Sequence, residues 1–217
     1  MIFKSGLALL LSAALAVSVF GQRNIRDLEQ KIRSNPNDES ALMELGRLYH
    51  DQAASGNTDF IGKGVRCFDQ IVAMDSANAV ALAYRGSLWT MQGRESWWPP
   101  NKLSYMRRGS EELDRAVEMA PDNIMVHLIR GINGLGQPEY TGRLLTSLED
   151  FILLLRRADF PEQTKELKAV IFYYGGLAHK RADDYDNARE LFKRAIAILP
   201  GSDFAKRSQD ELKDMGS

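Results

Sequence analysis

The sequence is poor in the residues that build disulfide frameworks and many catalytic centres. Among 217 residues there is a single cysteine, Cys67, which excludes an internal disulfide, and there are only three histidines. His50, His127 and His179 are scattered along the chain without a second ligand at metal spacing, so we expect each to pack between helices. No nucleophile motif or phosphate-binding loop is present. We therefore predict no catalytic residue, no cofactor and no metal.

Excess charge of one sign is also missing. The formal net charge is -1, which gives no electrostatic reason to expect nucleic acid as a partner. Neighbouring carboxylates such as Glu149 and Asp150 are interpreted as solvated helix faces, because adjacent residues on a helix point apart. Cys67 is expected to be a buried, unreactive thiol, since no basic cluster flanks it.

A long apolar run occurs only at the N-terminus. Lys4 precedes the uncharged residues 7–20, and Gly21 follows them. This layout is typical of a secretory signal peptide, and we predict residues 1–21 as that peptide, with Gln22 as the new N-terminus. An alternative cut lies within residues 14–16. The other interpretation is an uncleaved anchor, but the run is shorter than the ~20 apolar residues of a membrane span.

The predicted location is therefore outside the cytoplasm, periplasmic or secreted, in a bacterium. We expect no stable membrane insertion after signal cleavage. A lipid anchor at the cut would need a cysteine there, and the sequence has none at that place.

Four glycines recur at long, nearly regular intervals within helix-like stretches. Gly46, Gly86, Gly131 and Gly176 are separated by 40, 45 and 45 residues. Glycine inside a helix costs about 1 kcal/mol relative to alanine. A recurring glycine at such positions therefore predicts a place where two helices approach closely, and it indicates an internal repeat.

The last copy of the repeat resembles the tetratricopeptide repeat (TPR). The motif positions are filled by Phe172, Gly176, Tyr185, Ala188, Phe192, Ala195 and Pro200. The resemblance covers about residues 23–217 and implies an all-α fold: an α-solenoid of about four TPR-like helix pairs with an N-terminal half-repeat and a C-terminal capping helix. We predict one domain over residues 22–217, with repeats at about 39–78, 79–123, 124–168 and 169–202 and a cap at 203–217.

The repeats exceed the usual length, and the largest excess lies in the second copy. About eleven extra residues are expected as a loop around residues 93–105. Trp97 and Trp98 are interpreted as an aromatic contact site on this loop, with Tyr105, Tyr140 and Arg143 nearby. The alternative is a long loop that one tryptophan pins onto the solenoid.

The resemblance further implies a concave groove lined by the first helix of each pair, where proteins of this family bind peptides. The positions carried over are Met43, Arg47, His50, Ala83, Ser87, Thr90, Leu128, Ile132, Leu135, Tyr173, Leu177 and Lys180. These residues predict a largely apolar groove without the Lys and Asn clamp that binds chaperone C-termini. Two interpretations stay open: an exposed partner site, or a face covered by the chain's own C-terminal helix.

The leading functional hypothesis is a non-enzymatic protein–protein interaction scaffold, or adapter, for a protein or peptide partner. The predicted contact residues are Met43, Arg47, Ala83, Ser87, Trp97, Trp98, Leu128, Ile132, Tyr140, Arg143, Tyr173 and Leu177. One alternative is a small-ligand-binding accessory protein of a transport system. The other is a structural subunit of a homo-oligomeric assembly.

Overall fold

The chain folds into helices joined by short connections. The structure is a computed structural model that describes residues 24–216. The predicted signal peptide, residues 1–21, lies outside the described residues. Within residues 24–216 the chain contains helices and no strand. The predicted all-α fold class is confirmed.

Two compact units make up the chain. Unit 1 ends at Gly109 and unit 2 begins at Ser110. The first helix, α1, covers residues 24–34. The others are α2 (Glu39–Ala54), α3 (Ile61–Met74), α4 (Ala79–Glu95), α5 (Pro99–Met119), α6 (Ile124–Leu135), α7 (Arg143–Arg156), α8 (Lys165–Arg181), α9 (Tyr185–Ile198) and α10 (Asp203–Asp214). Inside each unit consecutive helices pack on one another, as in an α-solenoid.

Several helix starts are set by capping side chains. Asp38, Asn78 and Ser202 each accept a hydrogen bond from the backbone N–H three residues further on, over 2.9, 3.0 and 3.1 Å. Each of these bonds satisfies one of the N–H groups that a helix start leaves without an intrahelical partner. Such a cap contributes about 1 kcal/mol. The starts of α2, α4 and α10 are therefore determined by the capping residue that precedes each helix.

Three of the four recurring glycines lie where two helices of a pair cross. In unit 1, a Cβ at Gly46 would lie 2.7 Å from Cζ of Phe68. In unit 2, a Cβ at Gly176 would lie 2.7 Å from Cε1 of Phe192, and one at Gly131 would lie 3.1 Å from the ring of Phe151. All three phenylalanines are fully buried. The glycine therefore makes room for an aromatic ring, as the close approach predicted from the spacing requires.

The expected loop between α4 and α5 is absent, and the extra residues lengthen the two helices instead. Helix α4 continues to Glu95 and α5 begins at Pro99, so only residues 96–98 connect them. Proline is compatible with the first turn of a helix because the N–H it lacks has no partner there. The prediction of an eleven-residue loop was wrong because α5 begins at Pro99, within the inserted segment.

In unit 2 the C-terminal helix packs on the last helix pair. Helix α10 contacts α9 and α8. The rings of Tyr173 and Phe204 lie 5.6 Å apart, and Nζ of Lys180 donates to Glu211 over 2.6 Å. The remaining faces of α10 are mostly charged and exposed. It therefore closes the apolar side of α8 with a polar outer surface, which terminal elements of solenoids need.

Candidate binding surfaces

In unit 1 the predicted groove residues divide into accessible and buried ones. Met43 is half-buried and Arg47 is exposed, both on α2. Ala83, Ser87 and Thr90 of α4 are buried. A partner cannot contact buried side chains, so Ala83, Ser87 and Thr90 do not belong to an accessible surface.

The accessible side of α2 mixes charged and apolar side chains. Its residues are Glu39, Ser40, Met43, Glu44, Arg47, Leu48 and Asp51. The expectation of a largely apolar groove is therefore wrong for this helix. The apolar residues that motivated it, such as Ala83, pack inside the unit, and the charged residues are left outside.

His50 stands at the edge of the same face. Its Nε2 lies 3.0 Å from Oγ of Ser87, and its ring meets Tyr84 edge-on at 5.1 Å. These contacts join α2 to α4. The expectation that His50 packs between helices agrees with this geometry.

The groove positions of unit 2 mostly belong to its core. Leu128 and Tyr173 are buried, while Ile132, Leu135 and Leu177 are half-buried against the same cluster. Helix α10 contacts Tyr173, as described above. On α8, the interpretation in which the chain covers its own apolar face therefore agrees with the structure.

Trp97 and Trp98 are both accessible. This differs from the alternative in which one tryptophan pins a long loop onto the solenoid. Trp97 is 86% exposed and Trp98 is 49% exposed, and their rings lie 5.6 Å apart. Tyr105 is not beside them but stacks on Trp89, with 5.6 Å between ring centroids. The guanidinium of Arg108 lies 4.0 Å from the Trp89 ring centroid. The expectation that Tyr140 and Arg143 lie near Trp97 and Trp98 stays a prediction.

A second accessible apolar surface lies on unit 2. Tyr140 is 80% exposed and precedes α7, on which Leu145 is 64% exposed and Leu153 is 40% exposed. Sequence reasoning had selected only Tyr140. The signal for the leucines was present, because residues 144–155 contain more large apolar side chains than one core-facing stripe of a helix needs. We call Tyr140, Leu145 and Leu153 the α7 surface.

Arg143, predicted as a contact residue, is held by an ion pair. Its two terminal nitrogens donate to the two carboxylate oxygens of Asp114, each over 2.7 Å. Arg130 also reaches Asp114, over 3.3 Å, and donates twice to Asp150, over 2.9 and 2.8 Å. The geometry thus assigns Arg143 a structural contact that joins α5 to α7.

The same network contains a buried histidine–carboxylate contact. Nδ1 of His127 lies 2.6 Å from Oδ1 of Asp150, and Nε2 lies 2.7 Å from the carbonyl oxygen of Pro121. Asp150 is buried, so the interpretation of this residue as solvated was wrong. Burial alone would lower the pKa of the Arg130 guanidinium, but its bonds to Asp150 and Asp114 raise it overall. All these polar groups have partners inside the protein, which favours a structural role.

A small cleft lies among α1, α2 and α3 of unit 1. Its volume is about 340 Å³, and it is lined by Glu29, Ile32, Leu42, Leu45, Tyr49, Lys63, Arg66, Cys67 and Gln70. The Tyr49 hydroxyl donates to Glu29 over 2.6 Å. Burial raises the pKa of the Cys67 thiol to about 11. Because the thiolate is the reactive form, we expect Cys67 to be unreactive at neutral pH.

Metal-binding clusters and membrane-spanning helices are both missing from the described part of the chain. Among residues 24–216, no group of three or more His, Cys, Asp or Glu side chains could hold a metal ion. No helix in that part of the chain is both long and apolar enough to cross a membrane.

Paired helices that cross at a glycine–phenylalanine contact, closed by a capping helix, define the class: a protein with the tetratricopeptide-repeat fold. In particular, the chain is similar to TTC0263, a thermophilic TPR protein of Thermus thermophilus. The identity is 17%, the alignment covers 93% of this chain and 95% of that one, and the TM-score is 0.69. At this identity the likeness establishes the fold alone, and at that level it confirms the resemblance seen in the sequence.

A further similar structure is MamA, with 17% identity over 84% of this chain and 85% of that one. The TM-score is 0.47. No family profile matches the sequence, and no curated protein sequence matches it.

Proposed function

We propose that this protein is a non-enzymatic interaction scaffold that binds a protein partner through the α7 surface. The observation that carries the proposal is the exposure of Tyr140, Leu145 and Leu153 in a unit whose other large apolar side chains are mostly buried. Leu145 and Leu153 lie eight residues apart on one exposed side of α7, and an exposed apolar surface of this kind is characteristic of interaction sites. Tyrosine at such a site supplies apolar area and a hydroxyl group together.

The chemistry of the α7 surface selects the kind of partner. Residues 139–156 carry three carboxylates and two arginines, so charge contributes little net attraction. The apolar side chains lie along a helix rather than inside a cavity. An amphipathic helix or an extended apolar segment of another protein fits such a surface.

The test is site-specific photocrosslinking in the native cell envelope. A photoreactive residue placed at position 145 should capture a discrete partner, and Leu145→Asp with Tyr140→Ala should abolish co-purification of that partner. Glu166→Gln is the matched control, because Glu166 is exposed in unit 2 but lies on α8, outside the α7 surface. If the double variant retains the partner while its circular dichroism is unchanged, the α7 surface is not the binding site.

The same variants distinguish the homo-oligomeric alternative from a scaffold that binds a different protein. Light scattering of the purified protein would show an oligomer, and Leu145→Asp would dissociate it if the α7 surface contacts a second copy. A monomer at all concentrations would exclude this alternative.

A second candidate function, small-ligand binding for a transport system, is favoured by the cleft among α1, α2 and α3. Its volume of about 340 Å³ lies at the lower end of ligand pockets. A panel of metabolites should then raise the melting temperature saturably, and Ile32→Phe, which narrows the cleft, should remove the effect. Absence of any saturable shift would contradict this candidate.

We also propose that the protein works outside the cytoplasm, in the periplasm or in the medium. The support is the signal-peptide pattern of residues 1–21. N-terminal sequencing of the protein from periplasmic and extracellular fractions should begin at Gln22. A chain recovered only from the cytoplasm with Met1 retained would contradict the proposal.

A further inference from the structure

The connection between α4 and α5 presents aromatic side chains at the tip of a helical hairpin. Trp97 and Trp98 lie in this connection, and Leu103 follows on α5, where it is also exposed. No described residue of the chain covers Trp97, which keeps 86% of its surface accessible. Leaving this much tryptophan surface in water is costly, at about 25 cal/mol per Å² of apolar area.

The hairpin holds the tip firmly from below. A Cβ at Gly93 would lie 2.7 Å from Cγ of Met106 and 3.0 Å from the carbonyl oxygen of Lys102, so α4 and α5 are in backbone contact close to the tip. The Lys102 N–H donates to the carbonyl oxygen of Trp98 over 3.0 Å. The tryptophan pair is therefore presented on a preformed support, which reduces the entropy lost on binding.

The tip is basic in a chain that is nearly neutral. Residues 94–102 contain the cations Arg94 and Lys102 and one carboxylate, Glu95, whereas the whole chain has a net charge of -1. Arg94 is exposed in the last turn of α4, and Lys102 is exposed in the first turn of α5. A cation in a first turn opposes the helix dipole. Helix stability therefore does not explain why a lysine stands at position 102.

We propose that the α4–α5 tip is a contact site for the surface of an anionic phospholipid bilayer. Trp97 and Trp98 would lie at headgroup depth, where the amphipathic indole ring is favoured. Arg94 and Lys102 would face the lipid phosphates. The α7 surface differs in both respects, since it has no excess of cations and its apolar residues are mainly leucines. The inference goes beyond the scaffold function and rests on different residues.

A projecting tip fits a bilayer better than it fits a folded protein partner. Residues that dominate protein–protein binding usually enter a pocket and are surrounded by a rim of further contacts. Residues 96–98 are a three-residue connection with helices on both sides, so they supply little rim. A bilayer interface accepts such a tip from one direction and needs no matching pocket.

The test measures insertion of the tryptophans directly. The full chain carrying Trp89→Phe retains only Trp97 and Trp98 as tryptophans. It is mixed with vesicles of phosphatidylcholine alone or with phosphatidylglycerol added, each containing brominated acyl chains that quench nearby indoles. We expect quenching with anionic vesicles that weakens at high salt. No quenching, or equal quenching with phosphatidylcholine alone, overturns the proposal.

Vesicle co-sedimentation separates the tip from the apolar N-terminal segment, which all variants share. Trp97→Ala with Trp98→Ala should weaken binding to anionic vesicles by at least about tenfold. Arg94→Glu with Lys102→Glu should do the same through charge. Tyr140→Ala removes a similarly exposed aromatic ring from unit 2 and should change nothing. Equal binding of the double tryptophan variant and the unmodified chain overturns the proposal, and a protein partner would then be the occupant of the tip.

Discussion

Removal of the Asp150 carboxylate should destabilise unit 2 strongly, although no predicted contact residue would change. Asp150 is 1% exposed and accepts hydrogen bonds from Arg130 and His127. In Asp150→Ala the imidazole loses this partner in a dry environment, while Arg130 keeps only its longer bond to Asp114, 3.3 Å. Breaking a buried charged contact from one side costs about 3–5 kcal/mol. Because Arg130 is partly accessible, we expect the lower end, about 3 kcal/mol.

The assay is urea unfolding followed by far-ultraviolet circular dichroism and by tryptophan emission. Trp89, Trp97 and Trp98 all lie in unit 1, so their emission reports on that unit alone. With a slope of about 2 kcal/mol per M, a loss of 3 kcal/mol moves the midpoint by about 1.5 M. The shift of the unfolding midpoint should appear in the circular dichroism, because the helices of unit 2 contribute to that signal and not to the tryptophan emission.

The control variant for this experiment is Asp114→Ala. Asp114 also pairs with arginines, but its side chain is 37% exposed. Solvent screens such a pair, and we expect a loss of about 1 kcal/mol or less. An unchanged midpoint in Asp150→Ala, or an equal loss in both variants, would refute the argument that burial makes the Asp150 contacts strong.

Three further predictions test the packing described above. Gly176→Ala should destabilise the protein by about 1–3 kcal/mol because the new Cβ would meet the buried ring of Phe192 at 2.7 Å. Gly175→Ala, whose Cβ meets only ordinary contacts from 3.5 Å outward, should be neutral or stabilising by up to about 1 kcal/mol in the same thermal melts. Cys67, whose pKa is raised to about 11, should resist iodoacetamide at pH 8 in the native protein and react after unfolding in urea, so rapid native alkylation would contradict its burial. Phe204→Ala should loosen α10 and reduce hydrogen-exchange protection there, with α2 as the unaffected reference.

The sequence predicted the features that depend on local chemistry or on a single size requirement. The close contacts at Gly46 and Gly176 belong to this group. In each case one residue type performs one physical task that few others can perform. The repeat could therefore be recognised from the residues alone, and the fold class with it.

The remaining features depend on which helix face meets which neighbour. Asp150 was interpreted from its neighbour Glu149, yet it lies between Ser147 and Leu154 at helical spacing, and both are buried. Its partner His127 stands 23 residues earlier on another helix. A pattern within one helix cannot supply a charged partner that comes from a different helix.

The candidate contact residues show the same limitation. Positions carried over by the resemblance identify helices correctly but do not say how closely the next helix packs. Ala83 and Leu128 are buried for that reason. Leu145 was missed because the resemblance directs attention to the first helix of each pair, whereas α7 is a second helix.

The contact between glycine and phenylalanine has a consequence for how such chains change in length. Along the sequence, 22 residues separate Gly46 from Phe68, 20 separate Gly131 from Phe151, and 16 separate Gly176 from Phe192. The ring fits against the glycine in each case, although the segment between them differs. In these three pairs, one glycine–phenylalanine contact thus fixes the alignment of the two helices and leaves the intervening residues tolerant of insertion and deletion. Unequal repeats can therefore coexist in one chain, and new loops can arise between the helices without disturbing their crossing.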